Sequence, residues 1–156
     1  MLEDWILKRI EVEKSKSNLR GADLSDVKLM KAKLSDANLR DTDLSGAYFI
    51  QADLANADLG NADLSRAVLS EASLKGADLG SANLKDAFLN EANLQGANLK
   101  EAVLEDADLR GADLRQATNL TCEQIEWAIV DKTTRFPDYI QLSWINEDTF
   151  NCRDNR

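Results

Sequence analysis

Leucine falls on every fifth position from Leu19 to Leu114, with Phe49 filling one slot, giving twenty apolar centres in succession. Two residues before each centre stands a small residue, nearly always alanine; Ser17, Val27 and Thr42 are the departures. Between the two lies mostly Asp or Asn, as at Asp23, Asn38, Asp53 and Asn93. A period of five matches neither the 3.6 of an α-helix nor the 2 of a long strand. Within one unit, however, Ala-x-Leu puts two apolar side chains on one face of an extended segment and the Asp or Asn on the other. All seven glycines fall in the two slots after a centre: Gly60 and Gly80 directly after it, and Gly21, Gly46, Gly76, Gly96 and Gly111 one further on. Glycine held to one phase marks a turn. Each unit therefore reads as a short extended edge and a corner, too small to bury anything unless units stack.

Alternation of Ala, Asp or Asn, and Leu over residues 17–120 resembles the pentapeptide-repeat family, written A(D/N)LXX, and is similar to its cyanobacterial members. That resemblance implies an all-β solenoid: a right-handed quadrilateral β-helix with four pentapeptides per coil and about five coils here. At the ~4.8 Å spacing of paired strands the tower is roughly 24 Å tall. Leucine and alanine would fill the interior, in keeping with an aromatic content of only 6%.

A stack of this kind has open ends that need covering. Leu2, Trp5, Ile6 and Ile10 form an apolar stripe at i, i+3, i+4 and i+8, so residues 1–16 are expected to be an N-terminal capping helix. After residue 120, Thr121-Cys122-Glu123-Gln124 reads as a capping box opening a helix with Ile125, Ala128 and Ile129 on one face. Residues 121–137 are assigned to this C-terminal cap, and NLTCEQIEWAIVDKTTRFP resembles the terminal cap of family members. In the tail, 138–156, Ile140, Leu142 and Trp144 alternate with polar residues as in a strand, though Ile140 and Trp144 also have helical spacing. Cys122 and Cys152 either staple this tail to the cap helix or are two unrelated reduced thiols.

Composition narrows the chemistry. The net charge is −9 and the 156 residues include no histidine, which removes the commonest general base and metal ligand. Direct nucleic-acid binding is not expected of so acidic a chain. No apolar run is long enough for membrane insertion. The N-terminus has no secretion-signal pattern, so a cytoplasmic location is expected. Counting by twenty, Asp23, Asp43, Asp63 and Asn83 stack, but a flat ladder offers few oxygens to a cation. Paired carboxylates without a cleft make poor acid–base machinery, and Ser25, Ser45 and Ser65 have no base beside them. No enzyme activity, metal or cofactor is expected.

The same count gathers large apolar side chains on one wall. Tyr48, Val68 and Phe88 stack where other walls carry Asp or Asn, and Ile50 stacks with Met30. Elsewhere only Val103, placed near a corner, interrupts polar walls. Such a patch is expected to have a cover: the tail through Tyr139, Ile140, Leu142 or Trp144, a second copy, or an unidentified protein partner. The resulting expectation is a protein-interaction or scaffold module. The alternative rests on resemblance alone: some family members mimic duplex DNA and bind type II topoisomerases. Scattered Arg20, Lys31, Arg40, Lys75, Lys85 and Arg110 dilute a DNA-like potential here.

Overall fold

The computed structural model describes residues 3–156. Parallel bridges join each outward Asp or Asn position to the residue twenty further on, from Asp23↔Asp43 to Asn98↔Thr118. Twenty residues thus make one coil of four five-residue sides, and the chain climbs as a parallel solenoid. One unit shows how the coils are tied. The N–H of Asp63 donates to the Thr42 carbonyl at 3.0 Å, that of Leu64 to Asn83 at 2.7 Å, and that of Arg66 to Lys85 at 2.9 Å.

The corner is closed by the N–H of Ala67 donating to the Leu64 carbonyl at 3.0 Å. Its third residue, Arg66, has φ 58°, which makes the corner a type II turn. Every second residue after a centre, from Gly21 to Gln116, has such a positive φ, and only five of these are glycine. Gly60 and Gly80 are not among them. At Gly60 glycine provides room instead: a Cβ there would lie 2.2 Å from Arg40 Nη1.

Inside, the centres from Leu29 to Leu89, Phe49 included, are 0% exposed, with the alanines between them equally sealed. Complete burial of such a side chain contributes about 1.5–3 kcal/mol, so the column is the main source of stability. Thr42, in an alanine slot, is buried with its hydroxyl donating to the Leu19 carbonyl at 3.0 Å.

Helix α1, Asp4–Lys14, lies across the first coil. Leu2 of the expected stripe lies outside the described residues. Trp5, Ile6 and Ile10 are half-buried, and the fully buried member is Val12, which the stripe omitted. Polar contacts also seat the helix: Arg9 Nη1 donates to the Met30 carbonyl, and Glu13 Oε1 accepts from the Lys33 N–H.

At the other end, helix α2 is short, Cys122–Trp127, and opens on a capping box between Thr121 and Gln124. Ile125 is buried, but Ala128, in extended backbone just past the helix, and Ile129 are not on it. The N–H of Ile129 donates to the Ala107 carbonyl and its carbonyl accepts from Leu109, so the chain rejoins the ladder one residue late (129 − 108 = 21). Unmet donors and acceptors on the last coil compete with another helical turn, and the ladder wins. The tail forms an antiparallel hairpin of β1, Ile140–Trp144, and β2, Phe150–Asp154. Cys122 and Cys152 are joined at an S–S distance of 2.06 Å, tying β2 to the start of α2.

Candidate interaction face

Four outward columns define four walls. The first carries Asp23, Asp43, Asp63, Asn83 and Val103; the second Lys28, Tyr48, Val68, Phe88, Asp108 and Ile129. The third begins at Lys33 and ends at Arg135, and the fourth runs from Asn38 to Thr118. Val103 therefore sits mid-wall at the foot of the acidic first column, and not near a corner.

The bridge position has a structural task. At Asp58, Oδ1 accepts from the N–H of Gly60, two residues on, at 3.0 Å. The same bond recurs at Asp23, Asn38, Asp43, Asp53, Asp63, Asp78, Asn83, Asn93, Asn98, Asp108 and Asp113. It is an Asx-turn that meets the corner N–H and explains why these slots prefer the short Asp or Asn. Amides also link coils, as when Asn98 Nδ2 donates to Asp78 Oδ1 at 2.8 Å. Tyr48, Val68 and Phe88 have no carboxylate or amide and forgo the bond at three successive coils.

What they offer instead is apolar surface. Tyr48 is 41% exposed and Phe88 48%, with half-buried Val68 between them and half-buried Met30 and Ile50 alongside. Ile129, 46% exposed, extends the column below Asp108. Sequence reasoning missed it by assigning it to a helix face. The tail does not cover this wall. Tyr139 Oη donates to the Ala117 carbonyl and accepts from the Leu120 N–H, and Arg156 Nη2 donates to the Leu120 carbonyl. These contacts lie at the foot of the fourth wall, opposite the second.

Several of the acids are committed to structure. On the second wall, Arg110 grips Asp108 with both Nε and Nη2, at 2.9 and 2.7 Å. The Arg110 hydrogen bond holds the Asp108 carboxyl below its ordinary range, and Arg115 does the same to Asp113. Asp23 is lowered by its bond from the Ser25 hydroxyl, and Asp41 by Asn61 and Arg20. Carboxyls that are ionised so readily are poor proton donors near neutrality. Among the described residues no group of side chains is arranged to hold a metal ion, and no helix is long and apolar enough to cross a membrane.

A family model for pentapeptide repeats matches residues 15–46, 47–86 and 77–116. The chain belongs to the pentapeptide-repeat family. Its members form right-handed quadrilateral β-helices, the architecture of the four walls described above. A pentapeptide-repeat protein from Nostoc is similar at 32% identity and a TM-score of 0.57, over 87% of this chain and 88% of that one. Another, from the thylakoid lumen of Arabidopsis thaliana, gives 31% and 0.53 over 72% of this chain and 75% of its own. QnrB1, a plasmid-mediated fluoroquinolone resistance protein, matches at 18% identity with a TM-score of 0.30, covering 78% of this chain and 72% of that one. A likeness that slight carries no functional argument. No curated protein matches this pentapeptide-repeat chain with significance.

Proposed function

We propose that this pentapeptide-repeat protein is a non-catalytic protein-interaction module. Its β-helix of about five coils (residues 17–120) is a rigid post lidded by residues 1–16 and 121–137, with the 138–156 hairpin folded on its foot. Protein docks on the second wall, through Tyr48, Val68 and Phe88 with Met30 and Ile50 at their side. One observation carries this reading: three successive coils give up the Asx-turn bond common on the other walls and present two exposed aromatic rings and a valine in its place. A fold under selection for stability alone would keep Asp or Asn there. Open, polar walls and readily ionised carboxyls support the absence of catalysis. A topoisomerase-binding role has no comparable support, since the acidic first column gives way to Asn83 and Val103.

The test combines Tyr48→Ser with Ile50→Ser and compares captured proteins from the native cell extract with those of the wild type. Loss of a specific band with an unchanged circular-dichroism spectrum is expected. An identical capture profile would mean that the wall is idle surface.

A further inference from the structure

The second wall's column is self-complementary about its middle. Above Ile129 at its foot, it reads Lys28, Tyr48, Val68, Phe88, Asp108: a cation, an aromatic, valine, an aromatic and a buried acid paired with Arg110. We infer that the occupant of this wall is a second copy of the chain, packed face to face and antiparallel about a two-fold axis through Val68. This rests on the reading of the wall as an interaction face.

Two symmetric face-to-face pairings exist, and the column's centre line chooses between them. With both towers pointing the same way, exposed Lys28 would meet the other copy's Lys28. Like charges in the least hydrated line of an interface are costly. With the towers opposed, Val68 meets Val68, Tyr48 meets Phe88 in both halves, and Lys28 approaches the end holding Asp108. Acid outnumbers base at that end, since Arg110 faces both Asp108 and Asp131. Lys31, at the upper corner, comes level with the foot of the other copy, next to its Glu91. Tyr–Phe pairs and a central valine give an apolar core with a charged rim, the usual anatomy of a protein interface. The tail is folded on the opposite wall, so it does not compete.

Size sets the strength. A side of five residues is at most about 17 Å wide and five coils about 24 Å high, roughly 400 Å2, half of what a standard interface buries on each partner. The pair is therefore a weak, concentration-dependent dimer.

Sedimentation velocity from micromolar to millimolar protein, joined to cysteine cross-linking, tests this. The weight-average sedimentation coefficient should rise with concentration. An equimolar mixture of Tyr48→Cys and Phe88→Cys proteins, oxidised at high concentration, should give a mixed disulfide-linked dimer, identified by mass spectrometry of the linked peptide. Tyr48→Cys alone should not link, because two coils, about 10 Å, separate its symmetry mates and a disulfide spans less than about 7 Å between Cα atoms. A chain monomeric to millimolar concentration overturns the self-pairing. If Tyr48→Ser with Ile50→Ser then still abolishes capture from extract, the interaction face itself stands. Ready linkage of Tyr48→Cys to itself would overturn the antiparallel arrangement.

Discussion

At the scale of the residue, the repeat's acidic or amide slot is a hydrogen-bonding device before it is a surface charge. Asp78 shows both of its bonds: Oδ1 accepts from Gly80 N–H at 3.0 Å and from Asn98 Nδ2 at 2.8 Å. Asp78→Ala should cost about 1–2 kcal/mol in chemical denaturation, while Asp78→Asn, which keeps an acceptor, should cost less than half of that. Equal losses for the two would show that charge, and not the turn bond, matters. Titration adds a second check. The carboxyls of Asp108 and Asp113 are lowered in the folded state, so their stabilisation is complete above the unfolded value of about 4 and is lost as pH falls towards the folded values. Melting temperature should drop below about pH 4, and Arg115→Gln should flatten that drop. An unchanged slope would mean that the Arg115–Asp113 pair contributes nothing. The sequence displayed these slots openly, but not the left-handed corners. Glycine marks only five of the twenty, and the sign at the others is negative: no β-branched or aromatic residue stands at Asp26, Lys31, Gln51, Arg66 or their equivalents.

At the scale of the element, the repeat was legible because twenty identical choices reinforce one another. The ends were less so, because each is built once. The N-terminal stripe identified half-buried Trp5, Ile6 and Ile10 and missed Val12, whose burial depends on where the helix rests on the first coil. At α2 the capping box was readable, yet the helix stops at Trp127 because the last coil still offers ladder bonds to Ile129. Long-range competition of that kind leaves no local pattern. Gln124 binds the two events: Nε2 donates to the carbonyls of Leu99 and Ala102, at 2.8 and 2.9 Å, while its Oε1 accepts from the Thr121 N–H. Gln124→Ala should therefore cost about 1–3 kcal/mol, more than an exposed helix position normally does. A loss within a few tenths would show that water serves those carbonyls equally well.

At the scale of the whole molecule, the solenoid and the tail differ in what holds them. The solenoid rests on a continuous leucine column; the hairpin rests on Ile140, the Tyr139 and Arg156 contacts and the Cys122–Cys152 link. A cross-link over a separation of 30 residues is worth about 3–4 kcal/mol in the chain-entropy model. Reduction should lower the melting temperature and expose the tail to protease while the solenoid's far-ultraviolet spectrum persists at room temperature. Loss of the whole spectrum on reduction would make the tail part of the core. The sequence left the tail as strand or helix and the cysteines as paired or free, since neither five residues of alternation nor two cysteines decides such a matter alone.

The central claim is that the second wall exchanges structural bonds for a docking surface, and the triple variant Tyr48→Asn, Val68→Asn, Phe88→Asn tests it most directly. Three restored Asx-turn bonds, less the lost cross-strand apolar pairs, should stabilise the fold by about 2 kcal/mol, raising the melting temperature by about 4–8 °C. Sedimentation and capture from extract, measured on the same sample, should show association lost. A variant that melts no higher than the wild type and still associates would contradict the account.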